Sequence, residues 1–538
     1  MKDKNAVALT PPMGWNSWDV YGPSVNEEQL LGNARYMADH LKEFGWEYVV
    51  CDIQWSEPNA GQQPLLDYVP SDYVPFAWIT MDEYGRQLPA VERFPSAAGG
   101  KGFGPIAERI HSMGLKFGIH IMRGVPRLAV HQHLPVKGAN TTCDKIASNR
   151  SICWWNTDMY GVDAAREGAQ AYYDSIFELY ASWGVDFVKV DDICNTNAYP
   201  DNPYSAEKEI ELIRKAIDHC GRDMVLSLSP GPAVIEKAWH LRQNANMWRV
   251  TDDFWDRWEL LLPMFERCEV WERQVSPGCW PDCDMLPLGR LRLNKRKFEE
   301  VSDWTQLTET EQVTMMSLWC IFRSPLMISS EMRDNDQFTL KLLTNREILG
   351  MHRFGEGAHQ VYRTGETCAW RSADTRDGGT YVALFNLSDQ QREVSARRVD
   401  RIFPGLRAGM TIGSVYSLLA LTVLALFGRP LTLLFVDSSE TLIIDQAYQF
   451  IVIQAAFFIP LAGVNVFRLL IQGMGYSKVA VFAGVFEMVA RGTFGLFLVP
   501  RFGFLTACFA SPAAWILADC FLIPAYRKVV RDARQNGR

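Results

Sequence analysis

From residue 10 to about residue 330 the chain alternates short apolar runs with longer amphipathic stretches, and this restricts the fold more than any other feature. The runs are Tyr48-Val-Val-Cys-Asp52, Lys116-Phe-Gly-Ile-His120, Phe187-Val-Lys-Val-Asp191, Met224-Val-Leu-Ser-Leu-Ser229, Met247-Trp-Arg-Val-Thr251 and Leu318-Trp-Cys-Ile-Phe322. Helical patterns over 26–44, 167–183 and 205–220 lie between them. Parallel neighbours need a crossover long enough for a helix, so this repetition predicts an α/β fold with a parallel sheet. Its length suits one (β/α)8 TIM barrel, with a doubly wound sheet as the alternative. No GxGxxG or GxxxxGKS/T follows any run, which disfavours nucleotide-binding versions of the latter.

Most runs end on, or lead into, a polar or ionisable residue: Asp52, His120, Asp191, Ser229, Asp252 and Asp253. Active sites of parallel barrels are built at the C-terminal strand ends. A single polar strand end is ordinary, but six on one rim, flanked by Trp15, Trp18, Trp55, Trp155, Trp248, Trp255 and Trp280, suggest a sugar pocket with stacking walls.

Residues 341–399 carry short strand-like runs at 359–363, 368–371 and 380–386, with Asp377-Gly-Gly as a turn. They predict a small β domain that stops after three or four strands. Four apolar segments then appear near 411–428, 448–473, 479–500 and 503–525. Each is long enough to cross a bilayer, at about 20 residues per span. The expected division is a catalytic barrel over 1–340, a truncated β domain over 341–399 and a four-helix transmembrane segment over 400–538.

Charge divides the chain at the same place. Residues 1–400 carry 42 basic and 56 acidic side chains and residues 401–538 carry 12 and 6, so the net charge passes from −14 to +6. Arg397, Arg398, Arg401 and Arg407 precede the apolar block, a basic run over 527–534 follows it, and Asp437, Glu440 and Asp445 lie between its first two segments. The positive-inside rule then places both ends of the block in the cytoplasm. The first residues show no apolar signal segment, and the twelve cysteines form no CxxC pair. The catalytic part is therefore expected in the cytoplasm, with the C-terminal part in the cytoplasmic membrane. The acidic front has no basic stripe, so nucleic acid is not an expected partner.

The sharpest chemical feature is Val188-Lys-Val-Asp-Asp192, where a carboxylate at a strand end stands beside a cation. Such a carboxylate stays ionised and can attack an electrophilic carbon. A second acidic strand end, in Trp248-Arg-Val-Thr-Asp-Asp-Phe-Trp-Asp256, lies on the same rim. Two carboxylates across an aromatic-walled pocket suit glycoside hydrolysis. Asp191, Asp192, Asp252, Asp253 and Asp284 could instead hold a divalent metal, and pattern alone leaves both readings open.

Pro12-Met-Gly-Trp-Asn-Ser-Trp18, the Asp52 strand end, Val188-Lys-Val-Asp191, Trp248-Arg249 through Asp253 and Trp280-Pro-Asp-Cys-Asp-Met-Leu286 together resemble glycoside hydrolase family 27, the α-galactosidase family. The resemblance runs in order over about 10–399. It implies a (β/α)8 barrel followed by an antiparallel β domain, and a retaining double displacement on a terminal α-linked galactose or similar residue. By motif it implies Asp191 as nucleophile and Asp253 as acid/base, with adjacent Asp252 as the rival. Lys189, Arg249, Asp52, Trp18 and Asp284 would hold sugar hydroxyls or the ring face. No metal or organic cofactor is implied. The chain departs from the family pattern where a second Asp usually follows the first, at Ile53; where Tyr is common, at His120; and where Glu stands near the sugar C2, at Ser229. Ser229 resembles the N-acetylgalactosaminidase branch, and a small residue leaves room for a C2 substituent. A pyranose with axial O4, such as galactose, is the first expectation. α-N-acetylgalactosaminidase and β-L-arabinopyranosidase specificities are the alternatives.

Residues 400–410, 465–475 and 486–491 resemble the C-terminal part of a MATE-type multidrug exporter, over about 400–538. Glu487, Arg468, Arg491 and Asp519 are ionisable residues inside apolar segments, and Glu487 and Arg491, four apart, are expected to pair. One incomplete lobe cannot enclose a midplane site, so transport by this chain alone is not expected. A β domain that loses its end where an exporter-like part lacks its beginning predicts a fusion near Asp400. An inactive fusion and a transporter component are the remaining alternatives.

Overall fold

The computed structural model describes residues 3–61, 78–199, 201–294, 301–392, 394, 402–473 and 476–535. The chain divides into two compact units, one of Met1–Gln360 with Trp370–Phe385 and the other of Val361–Ala369 with Asn386–Arg538.

In the first unit eight strands form one sheet: β1 (Met13–Asn16), β2 (Tyr48–Cys51), β3 (Lys116–Met122), β4 (Phe187–Asp191), β5 (Val225–Leu228), β6 (Met247–Arg249), β7 (Trp280–Asp282) and β8 (Leu326–Ile328). Their order is β7-β6-β5-β4-β3-β2-β1-β8, with every neighbouring pair parallel. A parallel bridge from Leu286 to Ile328 joins the two ends, and the Leu286 N–H donates to the Met327 carbonyl at 2.8 Å. This is a TIM-like barrel of eight strands, and the open doubly wound sheet is set aside.

Five of the six apolar runs lie on these strands. Leu318–Phe322 does not: it is the last turn and a half of a helix, Glu309–Phe322. Thr308 and Glu311 close a capping box at its start, and its inner turns are buried nearly all round. A helix buried on most faces has no polar stripe, so its sequence reads as a strand. The strand comes later, at β8, after Arg323 ends the helix in the left-handed region at φ 68°. The helical patterns appear as Glu27–His40, Ala169–Trp183 and Glu207–His219.

Alternation along the strands sets the barrel interior, since residues i and i+2 share a face. Tyr48 and Val50, Phe187, Val225, Met247, Trp280 and Met327 pack into one buried cluster, with Ala8 among them. The next inward positions toward the C-terminal ends are Asp52, Lys189, Ser227, Arg249 and Asp282. An apolar layer thus carries a polar one.

Between β3 and β4 a small antiparallel sheet forms from Val125–Pro126, Ala147–Ile152 and Met159–Val162. After the barrel, Gly355–Arg363, Thr367–Asp374 and Thr380–Asn386 form a three-stranded antiparallel sheet, in keeping with the expected β runs. The supposed junction, with Arg397, Arg398, Asp400 and Arg401, lies outside the described residues.

Between Ile402 and Gln535 the described residues of the second unit form a series of helices, with turns at 433–440. Three helices, Gly405–Thr432, Val479–Phe502 and Phe504–Arg531, are long and apolar enough to cross a membrane. The segment expected as one span near 448–473 is instead two helices, Thr441–Ala456 and Phe458–Gly473, bent by 48°. Four spans result only if this pair counts as one. Glu487 pairs with Arg491 at 3.3 Å, as its spacing suggested, and more closely with Arg468 on the neighbouring helix. The interhelical partner has no sequence signal.

Candidate active site

The C-terminal strand ends bring the expected charged residues together. On β4, Phe187 lies in the apolar layer, so Lys189 and Asp191 follow it inward by alternation. Lys189 Nζ lies 3.0 Å from Asp52 Oδ2 at the end of β2, and Asn16 Nδ2 at the end of β1 donates to the same oxygen at 2.7 Å. His120 Nε2, across from Lys189 in the β3–β4 register, lies 3.0 Å from Asp191 Oδ2. The Asp192 N–H donates to Asp191 Oδ1 at 2.9 Å, so both carboxylate oxygens are held.

A second group surrounds Arg249 at the end of β6. Its Nη2 lies 3.0 Å from Asp253 Oδ1 and its Nη1 lies 3.0 Å from Asp284 Oδ1, beyond β7. Asp253 keeps 57% of its side chain exposed whereas Asp191 keeps 13%. One carboxylate is buried against its donors, and the other stands in water with one oxygen clamped. Asp252, the neighbouring acid, is exposed and turns Oδ1 back onto the Asp253 N–H at 2.9 Å.

Burial and charge compete at each group. For Asp191 burial favours the neutral acid, but the His120 hydrogen bond and charge, then Lys189, hold the carboxyl well below the usual range. Burial also opposes ionisation of Asp52, where Lys189 and His120 prevail. Burial lowers Lys189 while the charges of Asp52 and Asp191 raise it further. On the other side of the site burial wins: Asp282 is pushed up to about 7, with the Asp284 charge adding to the effect, and Asp284 is raised despite Arg249. Asp19, fully buried and bonded by the Ser329 hydroxyl, lies well above the normal range. Asp282, Asp19 and Asn16 carry no role in the expected set. The i, i+2 spacing of Trp280, Asp282 and Asp284 is the signal that marks Asp282.

The remaining expected residues are placed less uniformly. Ser229 is buried, and its hydroxyl has no hydrogen-bond partner among the described residues. Trp18 is half-buried against the barrel core and against Ile53 and Met122. Four of the seven tryptophans expected as stacking walls are core: Trp15, Trp55, Trp248 and Trp280 are at most 2% exposed. The indoles of Trp15, Trp55 and Trp280 donate to the carbonyls of Ser330, His120 and Ala8. Trp280 faces inward on β7, Trp15 and Trp248 face outward from β1 and β6 and Trp55 lies beyond β2, all four buried by packing, so of the seven only the half-exposed Trp18, Trp155 and Trp255 can face a ligand.

The five aspartates weighed as metal ligands do not gather into one group. Asp192 pairs with Arg123, while Asp253 and Asp284 share Arg249. Among the described residues the metal-like cluster is elsewhere, at Glu207, Glu211 and His240. There Lys237 and Lys208 already occupy the carboxylates, and the Tyr204 hydroxyl meets the imidazole.

Comparison with known proteins agrees with this geometry. The family model described as α-galactosidase A matches residues 155–353. Among curated proteins, α-galactosidase of Cyamopsis tetragonoloba is 25% identical over 76% of this chain and 80% of its own length. A crystal structure of a family 27 β-L-arabinopyranosidase from Geobacillus stearothermophilus is 57% identical, with a TM-score of 0.69 over 73% of this chain and 87% of that one. A Bacillus halodurans protein, provisionally described as an α-N-acetylgalactosaminidase, is 55% identical, with a TM-score of 0.63 over 71% of this chain and 85% of that one. The polar ring at the strand ends and these likenesses together show that the chain is a glycosyl hydrolase and belongs to glycoside hydrolase family 27, the α-galactosidase family.

Proposed function

We propose that this chain is a retaining hydrolase that removes a terminal pyranose with axial O4, and that it prefers β-L-arabinopyranose to α-D-galactose. Asp191 attacks the anomeric carbon while Asp253 protonates the departing glycosidic oxygen, so one C–O bond forms as another breaks. Asp253, now a carboxylate, takes a proton from water; the hydroxide attacks the same carbon and frees Asp191. The observation that carries this reading is the contrast between the two acids. Asp191 is buried, ionised and held at both oxygens, while Asp253 is open to water and clamped by Arg249. Lys189, Asp52, Asp284, His120 and Ser229 would take sugar hydroxyls, with Trp18 against the ring.

The preference at C5 rests on Ile53. It is 2% exposed and packs with Ile79, Met122, Cys153 and Met159, with Trp18 against the same cluster. An apolar wall offers a hydroxymethyl group no hydrogen bond, and L-arabinopyranose is the galactose ring without that group. The 57% identity to a β-L-arabinopyranosidase supports the same choice. The test is release of para-nitrophenol from β-L-arabinopyranoside, α-D-galactopyranoside and N-acetyl-α-D-galactosaminide by the full chain and by Asp191→Asn. The expected result is fastest release from the arabinopyranoside, with a loss of about 1,000-fold or more in kcat on substitution. Equal activity of Asp191→Asn overturns the mechanism, and a faster galactoside overturns the preference.

For the C-terminal part the reading is a membrane-integrated piece over 400–538, related to the exporter lobe and joined to the catalytic barrel (1–340) and the short β domain (341–399). The three long apolar helices support it.

A further inference from the structure

Asp192 follows Asp191 in the left-handed region, at φ 54°. A non-glycine residue there costs about 1 kcal/mol, although Asp tolerates it better than most. This turn directs the Asp192 N–H back onto Asp191 Oδ1. Arg123, one residue beyond β3, grips the turn. Its N–H donates to the Asp191 carbonyl at 3.1 Å, its Nε donates to the Asp192 carbonyl, and its Nη2 pairs with Asp192 Oδ2 at 2.8 Å. The far side of the guanidinium is fixed as well. Nη1 pairs with Glu209 Oε1 at 3.0 Å and Nη2 reaches Thr196 Oγ1 at 3.3 Å. Tyr173 donates its hydroxyl proton to Glu209 Oε2 at 2.7 Å and accepts the Gly124 N–H at 2.9 Å. The side chains of Arg123, Asp192 and Glu209 are at most 6% exposed.

We propose that Arg123 and Asp192 are positioning residues for Asp191: their ion pair holds the left-handed turn that presents the Asp192 N–H to Asp191 Oδ1 and so aims the carboxylate. This rests on the reading of Asp191 as nucleophile. Neither residue is assigned contact with the sugar. Their work is to keep the carboxylate in its attack orientation, where small displacements are costly. The fork of an arginine suits the task, since one planar group meets a carbonyl and two carboxylates at once. A lysine ammonium can replace the charge but not the set of directions.

The test uses the full chain with para-nitrophenyl β-L-arabinopyranoside and α-D-galactopyranoside. Asp192→Ala removes the anchor and strains the turn; Arg123→Lys keeps the charge between Asp192 and Glu209, so that a folded variant is retained. For both, kcat should fall about 100-fold while KM changes by less than about threefold. Asp192→Gly, which adopts the turn freely, should recover part of the loss in Asp192→Ala. Asp191→Gly with sodium azide is the control: azide takes the vacated place, attacks the anomeric carbon and leaves a glycosyl azide. Azide product together with reduced kcat in the folded variants supports the proposal. Azide product with unchanged kcat, or a loss matched by loss of folded protein or confined to KM, overturns the proposal alone. No azide product from folded Asp191→Gly overturns the nucleophile and the proposal with it.

Discussion

At Asp191 burial and two neighbouring residues act in opposite directions. Burial favours the neutral acid, and the hydrogen bond and charge of His120, with the charge of Lys189, reverse that preference. Removing His120 should therefore return the carboxyl toward its buried, raised value. In His120→Phe the acidic limb of kcat/KM should move to higher pH, because less of Asp191 is ionised at a given acidity; pH–rate profiles of the two proteins check this. Ile53 acts through what it lacks. Ile53→Asp puts an acceptor in an apolar cluster, so galactoside kcat/KM should rise relative to arabinopyranoside by about 10-fold or more. Thermal melting should drop at the same time, since an unpaired carboxylate is buried there. An unchanged ratio in steady-state kinetics would set aside the role given to Ile53. Both residues could be marked in the sequence, because His120 closes a recognisable apolar run and Ile53 directly follows another. Whether His120 would meet Asp191 or water could not, since that depends on the β3–β4 register.

Strands were readable where they were of ordinary length and flanked by turns, as in β2 to β5. The three-residue β7 and β8 were not, since so short a strand has no periodicity; the equally short β6 was readable only because it sits in the longer run Met247–Thr251. The run Leu318–Phe322 misled for the opposite reason: a helix end buried on every side loses the stripe that identifies it. β7 also carries a pH effect of its own. Asp282, raised to about 7 by burial and by Asp284, holds a proton in the folded chain that the unfolded chain has already released. Between about pH 4 and about 7 the folded state thus binds more protons, and this residue's contribution to stability falls as pH rises. Melting temperatures from pH 5 to 8 should decline less steeply in Asp282→Asn than in the parent. An identical slope would show that Asp282 does not carry the effect.

At the scale of the whole molecule, the acidic part and the apolar helical part differ in the surface they expose. Side chains such as Ile412, Phe435, Leu469 and Leu496 are 67% or more exposed on the helical unit. A helical surface of this kind is at home in lipid rather than water. The full chain should accordingly sediment with membranes, resist alkaline carbonate and dissolve in detergent. Its release into the soluble fraction by carbonate, measured by immunoblot, would remove the membrane reading.

The amino-acid order determined the class of fold, the polar rim at the strand ends and the change in hydropathy near residue 400, because periodicity, strand-end polarity and mean hydropathy are local properties. It marked Asp191, Asp253, Lys189 and Arg249 by motif. Tertiary structure decided the rest: that four of seven tryptophans are core, that Asp253 rather than Asp252 meets Arg249, that the second apolar segment bends at its middle, and that Arg123 grips the turn after Asp191. Each of these depends on which residues distant in sequence become neighbours, and that is settled only when the strands pair and the barrel closes.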